Sequence, residues 1–190
     1  MRKMPTLFLR SEDDPNGIVT DQVNPDCQWV LDGEGTPYAK LDGTACMVNN
    51  YTLYKRYDNS KIVDGQRVQK KEPKPDWVWC GDKSERGKYI YWIPVGPKDY
   101  YHLIGWAWER HQSPNNTYEL IGPGVQNNPH RVQTNKLVAH DYIEITENPR
   151  TYELIKAYLK VCEWEGIVWH HPDGRYAKIT KAKFGFQWPI

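Results

Sequence analysis

Phenylalanine and methionine are scarce, at three residues each in a chain of 190, and cysteine is limited to four scattered positions. Cys27, Cys46, Cys80 and Cys162 form no C-x-x-C pair, and no histidine stands at zinc-finger spacing, which argues against a structural zinc site. No stretch approaches the roughly 18 apolar residues of a membrane helix. The basic opening, Met1 to Arg10, carries an apolar run too short for a signal peptide. The expectation is a cytoplasmic, monomeric protein with no membrane contact and with reduced thiols. Charge of one sign is not in surplus either, with 25 Lys and Arg against 24 Asp and Glu. Composition alone therefore does not announce a nucleic-acid binder, and any basic surface must come from uneven placement of charge. Internal repeats and low-complexity tracts are absent.

What the sequence does hold is nine Trp and thirteen Tyr. Large aromatics of this kind fill a β-rich core, and a minority can stack on bases or on an adenine ring. Charge is clustered: the stretch from Lys55 to Lys74 is mostly basic, and Lys178, Lys181 and Lys183 crowd the C-terminal end. Short β-branched and aromatic runs separated by turn residues read as strands. They are Trp29–Leu31, Cys46–Val48, Trp77–Trp79, Tyr89–Val95, Tyr118–Ile121, Tyr142–Ile145, Gly166–Trp169 and Tyr176–Ile179. His171-Pro172-Asp173-Gly174 reads as a hairpin turn. Helices are expected over about Asp99–His111 and from Asn148-Pro149 onward, with Asn148 as N-cap and Leu154, Ile155, Tyr158, Leu159 and Cys162 on one face. Gln69 to Pro75 reads as an exposed loop. The fold class is α+β, mainly antiparallel sheet, and the length suits a single domain over 1–190.

Several familiar sites are excluded. Gly81 to Tyr89 superficially suggests a phosphate-binding loop, but the glycine spacing is one residue too long and the Ser/Thr after the Lys is missing. No G-x-S-x-G, H-E-x-x-H or G-x-G-x-x-G occurs.

Four short segments remain, in a telling order. They are Lys40-Leu41-Asp42-Gly43-Thr44, Thr117-Tyr118-Glu119-Leu120-Ile121-Gly122-Pro123, Glu165-Gly166-Ile167-Val168, and Ala177-Lys178 through Phe184. A lone K-x-D-G recurs by chance, but the ordered set resembles the covalent nucleotidyltransferase superfamily of DNA ligases, RNA ligases and mRNA capping enzymes. The segments match its motifs I, III, IV and V, and the similarity runs from about Tyr38 to Pro189. Details of the wording, including Glu-Gly-Ile-Val-Trp-His-His-Pro-Asp-Gly and the closing Phe-Gly-Phe-Gln-Trp-Pro, are similar to the small 5′–3′ RNA ligases.

The resemblance implies an antiparallel-sheet-rich, ATP-grasp-like adenylation domain. An appended OB-fold is not expected, because the chain stops about a dozen residues after Lys178. It implies an ATP-dependent RNA ligase that joins 5′-phosphate and 3′-hydroxyl ends, with Mg²⁺ as metal and Mn²⁺ as a substitute. Lys40 would be the nucleophile, and neighbouring cations and burial would favour its neutral form. Asp42 would orient the nucleophile and join Glu165 in holding the metal. Leu41 and Gly43 would lie along the nucleotide, Gly43 letting the backbone come close. Glu119 would accept a hydrogen bond from the ribose, and Lys178 would contact the α-phosphate.

The chain departs from the family's pattern at Thr180, where a second lysine is usual. Lys181 or Lys183 is left to supply that charge, Lys181 for catalysis and Lys183 for nucleotide binding. Arg56 stands where a nucleotide or 5′-phosphate contact is common, and a solvated basic face accounts for it equally well. Tyr142 is either an adenine-stacking ring or a core residue. His140, His170 and His171 read as lying outside the site, the pair as solvent-facing. RNA would be gripped by the 55–74 basic stretch and the aromatic segment Trp77 to Trp108, or with a partner's help. The alternatives are a DNA ligase, a GTP-using capping enzyme, or an end-binding protein that has lost catalysis.

Overall fold

The computed structural model describes residues 4–81, 87–109 and 115–189. Most of the Gly81–Tyr89 run, and the expected helix end at His111, lie outside the described residues. Strands in chain order are β1 (Phe8–Arg10), β2 (Val19–Val23), β3 (Thr36–Lys40), β4 (Thr44–Asn49), β5 (Thr52–Asp58), β6 (Ser60–Val63), β7 (Gln66–Gln69), β8 (Val78–Trp79), β9 (Ile90–Pro94), β10 (Asn115–Ile121), β11 (Lys136–Ala139), β12 (Gly166–His170) and β13 (Tyr176–Thr180). Helices are α1 (Gln28–Leu31), α2 (Tyr100–Glu109) and α3 (Tyr152–Val161). Antiparallel sheet therefore dominates and helices are few. No helix among the described residues is long and apolar enough to cross a membrane.

The described residues pack as two compact units, one drawn from within 43–139 and the other from 4–42 with 140–189. In the first, an antiparallel six-stranded sheet runs β11-β10-β4-β5-β9-β8. Its core gathers Cys46, Val48, Leu53, Tyr118, Leu120, Val125 and Leu137, with Trp106 of α2 against it. Helix α2 comes close because Gly105 has no side chain: a Cβ there would stand 2.8 Å from Leu120 and 3.4 Å from Leu137. The β6–β7 hairpin turns through Asp64 and Gly65, both at positive φ, as an Asp-Gly turn favours.

In the second unit, an antiparallel three-stranded sheet runs β13-β12-β3, and β1 and β2 form a separate hairpin. The core combines Ala177, Ile179, Ile167 and Trp169 from this sheet with Leu7, Phe8, Trp29, Val30, Ile155, Leu159 and Phe184. Apolar residues alternate with polar ones along β3 and β13, so one face of the sheet is buried and the other is available for chemistry.

Three local expectations are corrected. Trp29–Leu31 is helical, because Asn24 caps a 3₁₀ turn that begins with Pro25 and leads directly into α1. Tyr142–Ile145 forms no strand and makes only a bridge from Glu144 to Tyr38. Helix α3 starts at Tyr152, with Thr151 as N-cap through a bond from the Leu154 amide, while Asn148 sits at φ +45 in a preceding turn. Leu154 is exposed on that helix, whereas Ile155 and Leu159 are buried. The turn at 171–174 closes as expected, with Gly174 at φ +88 donating its amide to the His171 carbonyl.

Candidate active site

Strand register places the chemistry of the second unit. Gly166 pairs with Lys40 on one side and Thr180 on the other, and Val168 likewise with Tyr38 and Lys178. His170 pairs with Thr36 and Tyr176. Directly opposed residues share a face, so Lys40, Tyr38, Lys178, Thr180 and His170 all stand on the side of the sheet away from the core. Two neighbouring strands and a third more than a hundred residues earlier in the chain supply this one face.

Glu165, just before β12, donates its amide to the Lys40 carbonyl at 3.1 Å, and its carboxylate pairs with the Lys40 ammonium. Both side chains are partly buried, about a quarter and a fifth exposed, so water reaches the contact only in part. The Lys40 Nζ also lies 3.4 Å from the Leu41 carbonyl. Gly166 has no room for a side chain, since a Cβ there would stand 2.2 Å from the Ile179 carbonyl oxygen. Next to Lys40, Leu41 is buried and Asp42 accepts a hydrogen bond from the Trp188 indole at 3.0 Å.

The lysines of the last segment divide. Lys178 is half-buried on the Lys40 face, its backbone bonded on the strand's outer side to Pro5 and Leu7. Lys181 is fully buried, its ammonium donating to the Cys162 carbonyl at 2.7 Å and lying 5.8 Å from the Trp188 ring. Its amide donates to the Glu165 carbonyl, which ties the 3₁₀ turn Lys181–Phe184 to the acid that holds Lys40. Lys183 reaches the Gly17 carbonyl at 2.9 Å, and burial lowers its pKa. Neither Lys181 nor Lys183 stands in the row of Thr180 with Gly166 and Lys40.

Gly43, Glu119 and Arg56 belong to the other unit. Glu119 pairs with Ala45, and Tyr118 with Cys46, which pairs in turn with Lys55. By alternation, Glu119 and Arg56 share the face opposite Tyr118 and Lys55. Arg56 is exposed and pairs across the strands with Trp92. The close approach at Gly43 is to β10, where a Cβ would stand 2.2 Å from the Leu120 carbonyl oxygen.

The histidine pair is not solvent-facing as a whole. His170 packs between Tyr38 and Tyr176, with ring centroids at 4.7 and 4.9 Å. Burial, with His140 adding to it and Asp141 opposing, pushes its pKa down to about 4. His171 bridges Glu34 and Asp173 at 2.7 Å each. Tyr142 is largely exposed. Trp188 and the Tyr38–His170–Tyr176 row were not singled out from the sequence. A closing tryptophan far from Lys40 gives no spacing cue, and the row appears only once the register is known.

Among the described residues, no cluster of three or more His, Cys, Asp or Glu gathers to form a protein-only metal cage. The acids present suit the other mode, in which Mg²⁺ is held by one or two carboxylates together with substrate phosphates and waters.

Comparison with known proteins bears on the same segments. The sequence model of the RNA ligase 1 family matches residues 110–190. The resemblance is to RNA ligases. RNA ligase 1 of Danio rerio is 35% identical over 88 residues, covering 39% of this chain and 26% of that protein. RNA ligase 1 of Rattus norvegicus is 24% identical over 229 residues, covering 92% of this chain and 69% of that protein. The Mus musculus protein of the same name matches to the same extent. The chain thus corresponds to about a quarter of the first relative and to about two thirds of the rodent ones. The Lys178 segment and the Glu165-Gly166 turn both fall inside the matched C-terminal part.

Proposed function

We propose that the chain is an ATP-dependent RNA ligase with a nucleotidyltransferase active site. The observation that supports this best is the Lys40–Glu165 pair, set on adjoining strands with Lys178 on the same face and Asp42 held beside it. In this reading the Lys40 amine, once released from Glu165 and deprotonated, attacks the α-phosphorus of ATP. A Lys40–AMP phosphoramidate forms and pyrophosphate leaves. The 5′-phosphate of RNA then takes the AMP from Lys40, and a 3′-hydroxyl displaces it to close the phosphodiester bond. Lys178 stabilises charge on the phosphate while Lys40 adds. Glu165, with Asp42, would hold Mg²⁺, which would supply neutralisation of phosphate charge.

The test is to incubate the purified protein with α-labelled ATP or GTP and Mg²⁺, beside Lys40→Ala, and to look for label that survives denaturing electrophoresis. Label from ATP that is lost in Lys40→Ala is expected. Label from GTP alone would move the assignment to capping chemistry. No label with either nucleotide, from folded protein whose intact mass shows no prior adenylation, would leave an end-binding protein. Joining of RNA rather than DNA ends by the labelled protein separates the two ligase classes.

A further inference from the structure

Residues 55–74 hold seven basic side chains against three acidic ones, although the whole chain is nearly neutral. The structure gives this imbalance a location. Lys61, Lys70, Lys71 and Lys74 are exposed on and after the β6–β7 hairpin. The hairpin is fixed to the end of the six-stranded sheet, where the Gln69 amide donates to the Tyr91 hydroxyl at 2.7 Å.

Tyr57, Tyr91 and Trp79 stand directly opposite one another on β5, β9 and β8, and so share one face of the sheet. Trp77 joins them, with its ring centroid 5.2 Å from Tyr57 and 5.5 Å from Tyr91, and Trp79 lies 4.9 Å from Tyr91. Two lysines sit against this wall. The Lys71 ammonium is 5.4 Å from the Tyr57 ring and 5.1 Å from that of Trp77. Lys70 is 5.6 Å from Tyr57 and donates to the Asp58 carbonyl at 2.8 Å. The Asp58 carboxylate is engaged by Lys88 at 2.7 Å, while Glu72 and Asp76 are exposed in the same loop.

A group of rings that only filled a core would be covered. Here Trp79 is 40% exposed on the last strand of the sheet, and its neighbour Val78 is 39% exposed. Ammonium groups held over ring faces are already oriented, and each keeps further donors for a phosphate. Tyr91 is buried and Tyr57 and Trp77 are half-buried, so the wall is a supported platform that opens at Trp79 beside ordered cations. It matches the two demands of a single strand: stacking for unpaired bases and positive charge along the backbone. A duplex offers no unstacked base to these rings.

We infer that this wall binds single-stranded RNA, with bases stacking on Trp77 and Trp79 and phosphates on Lys70 and Lys71. The choice of RNA rests on the ligase reading above; the binding mode rests on the rings and lysines themselves.

The experiment is a tryptophan-fluorescence titration of the whole protein with a 12-nucleotide oligo(U), repeated across salt concentrations, and with an RNA duplex of equal length. The oligo(U) is expected to quench fluorescence and to bind at least tenfold more tightly than the duplex. The double variant K70E/K71E is expected to weaken binding by at least tenfold. It should also flatten the slope of log affinity against log salt by about 1.4, since two phosphate contacts are lost. W79A is expected to weaken binding about tenfold with the salt slope unchanged. Both variants should form the lysyl-adenylate as the parent does, which also shows that they fold. Equal binding by parent and variants, an unchanged salt slope in K70E/K71E, or equal affinity for the duplex would overturn the inference. A parent that binds oligo(U) in this pattern but takes no label from ATP would instead overturn the ligase reading alone.

Discussion

The Trp188 indole donates to the Asp42 carboxylate at 3.0 Å while its ring lies 5.8 Å from the buried Lys181 ammonium. Two positions 146 residues apart are thereby fixed to each other beside Lys40. A carboxylate that accepts a charge-assisted hydrogen bond keeps one orientation, and Asp42 follows Lys40 by two residues. Trp188→Phe keeps a ring near Lys181 but removes the donor. It is expected to slow Lys40 adenylation about tenfold, a fraction of the roughly 1.5–3 kcal/mol carried by a hydrogen bond to a charged group, with the melting temperature nearly unchanged. Single-turnover labelling over a range of ATP concentrations checks this. A rate equal to the parent's would show that Asp42 is held well enough without the indole.

Lys40 and Glu165 make opposite predictions for a charge-preserving and a charge-removing change. Lys40→Arg retains a cation for Glu165 but has no nucleophilic amine, so it should fold normally and take no label from ATP. Glu165→Gln leaves the lysine in place but removes its counter-charge and the expected metal ligand. Label formation should fall by about a hundredfold, while stability changes by less than about 1 kcal/mol, since the pair is partly exposed. Intact-mass spectrometry and urea unfolding separate the two effects. A Lys40→Arg variant that still gained the mass of AMP would remove Lys40 from the nucleophile's role.

Two glycines near the same strands test packing against backbone conformation. At Gly166 a methyl group would stand 2.2 Å from the Ile179 carbonyl oxygen and 2.9 Å from the Thr180 Cα, both backbone atoms that cannot move aside. Gly166→Ala should therefore cost at least about 2 kcal/mol of stability. At Gly174 nothing lies within 4 Å of the added methyl group, and only the positive φ opposes it, so Gly174→Ala should cost about 1 kcal/mol. Urea denaturation ranks the two. The reverse order would mean that the sheet can open around residue 166.

The shared face of the candidate residues was legible because strand alternation and residue type agreed there. Lys40 and Lys178 each sit at a polar position in an alternating run, and Glu165-Gly166 opens the apolar run between them. Trp188 was not legible. Its partner Asp42 is far away in sequence, and a tryptophan reads equally well as core. Local misreadings have local causes. Asn148-Pro149 carries both marks of a helix start, yet Asn148 closes a turn on Ile145 and Thr151 provides the cap. Trp29–Leu31 has a strand's residue types, but Asn24 and Pro25 commit the segment to a helix first. The Ser60–Gln69 hairpin carried an Asp64-Gly65 turn signal that the surrounding positive charge obscured.

His170 makes the pH dependence of stability specific. An unfolded histidine takes up a proton near pH 6.5, whereas burial between Tyr38 and Tyr176 pushes the folded His170 down to about 4. Above about pH 6.5 both states are neutral there, and the residue adds no dependence on pH. Between about 6.5 and 4 the unfolded chain binds a proton that the folded chain refuses, so stability falls as acid is added. Below about 4 both are protonated and the loss is complete. Nearby His140 adds to the shift and Asp141 opposes it. Comparing unfolding free energies at pH 7 and 4.5, the parent should lose roughly 1–2 kcal/mol more than His170→Gln, after discounting for the residue's partial exposure. The comparison with the variant removes the contribution of the carboxylates, which titrate in both proteins. Equal losses would mean that His170 accepts its proton in place, with the Tyr38–His170–Tyr176 row open to water from the Lys40 face.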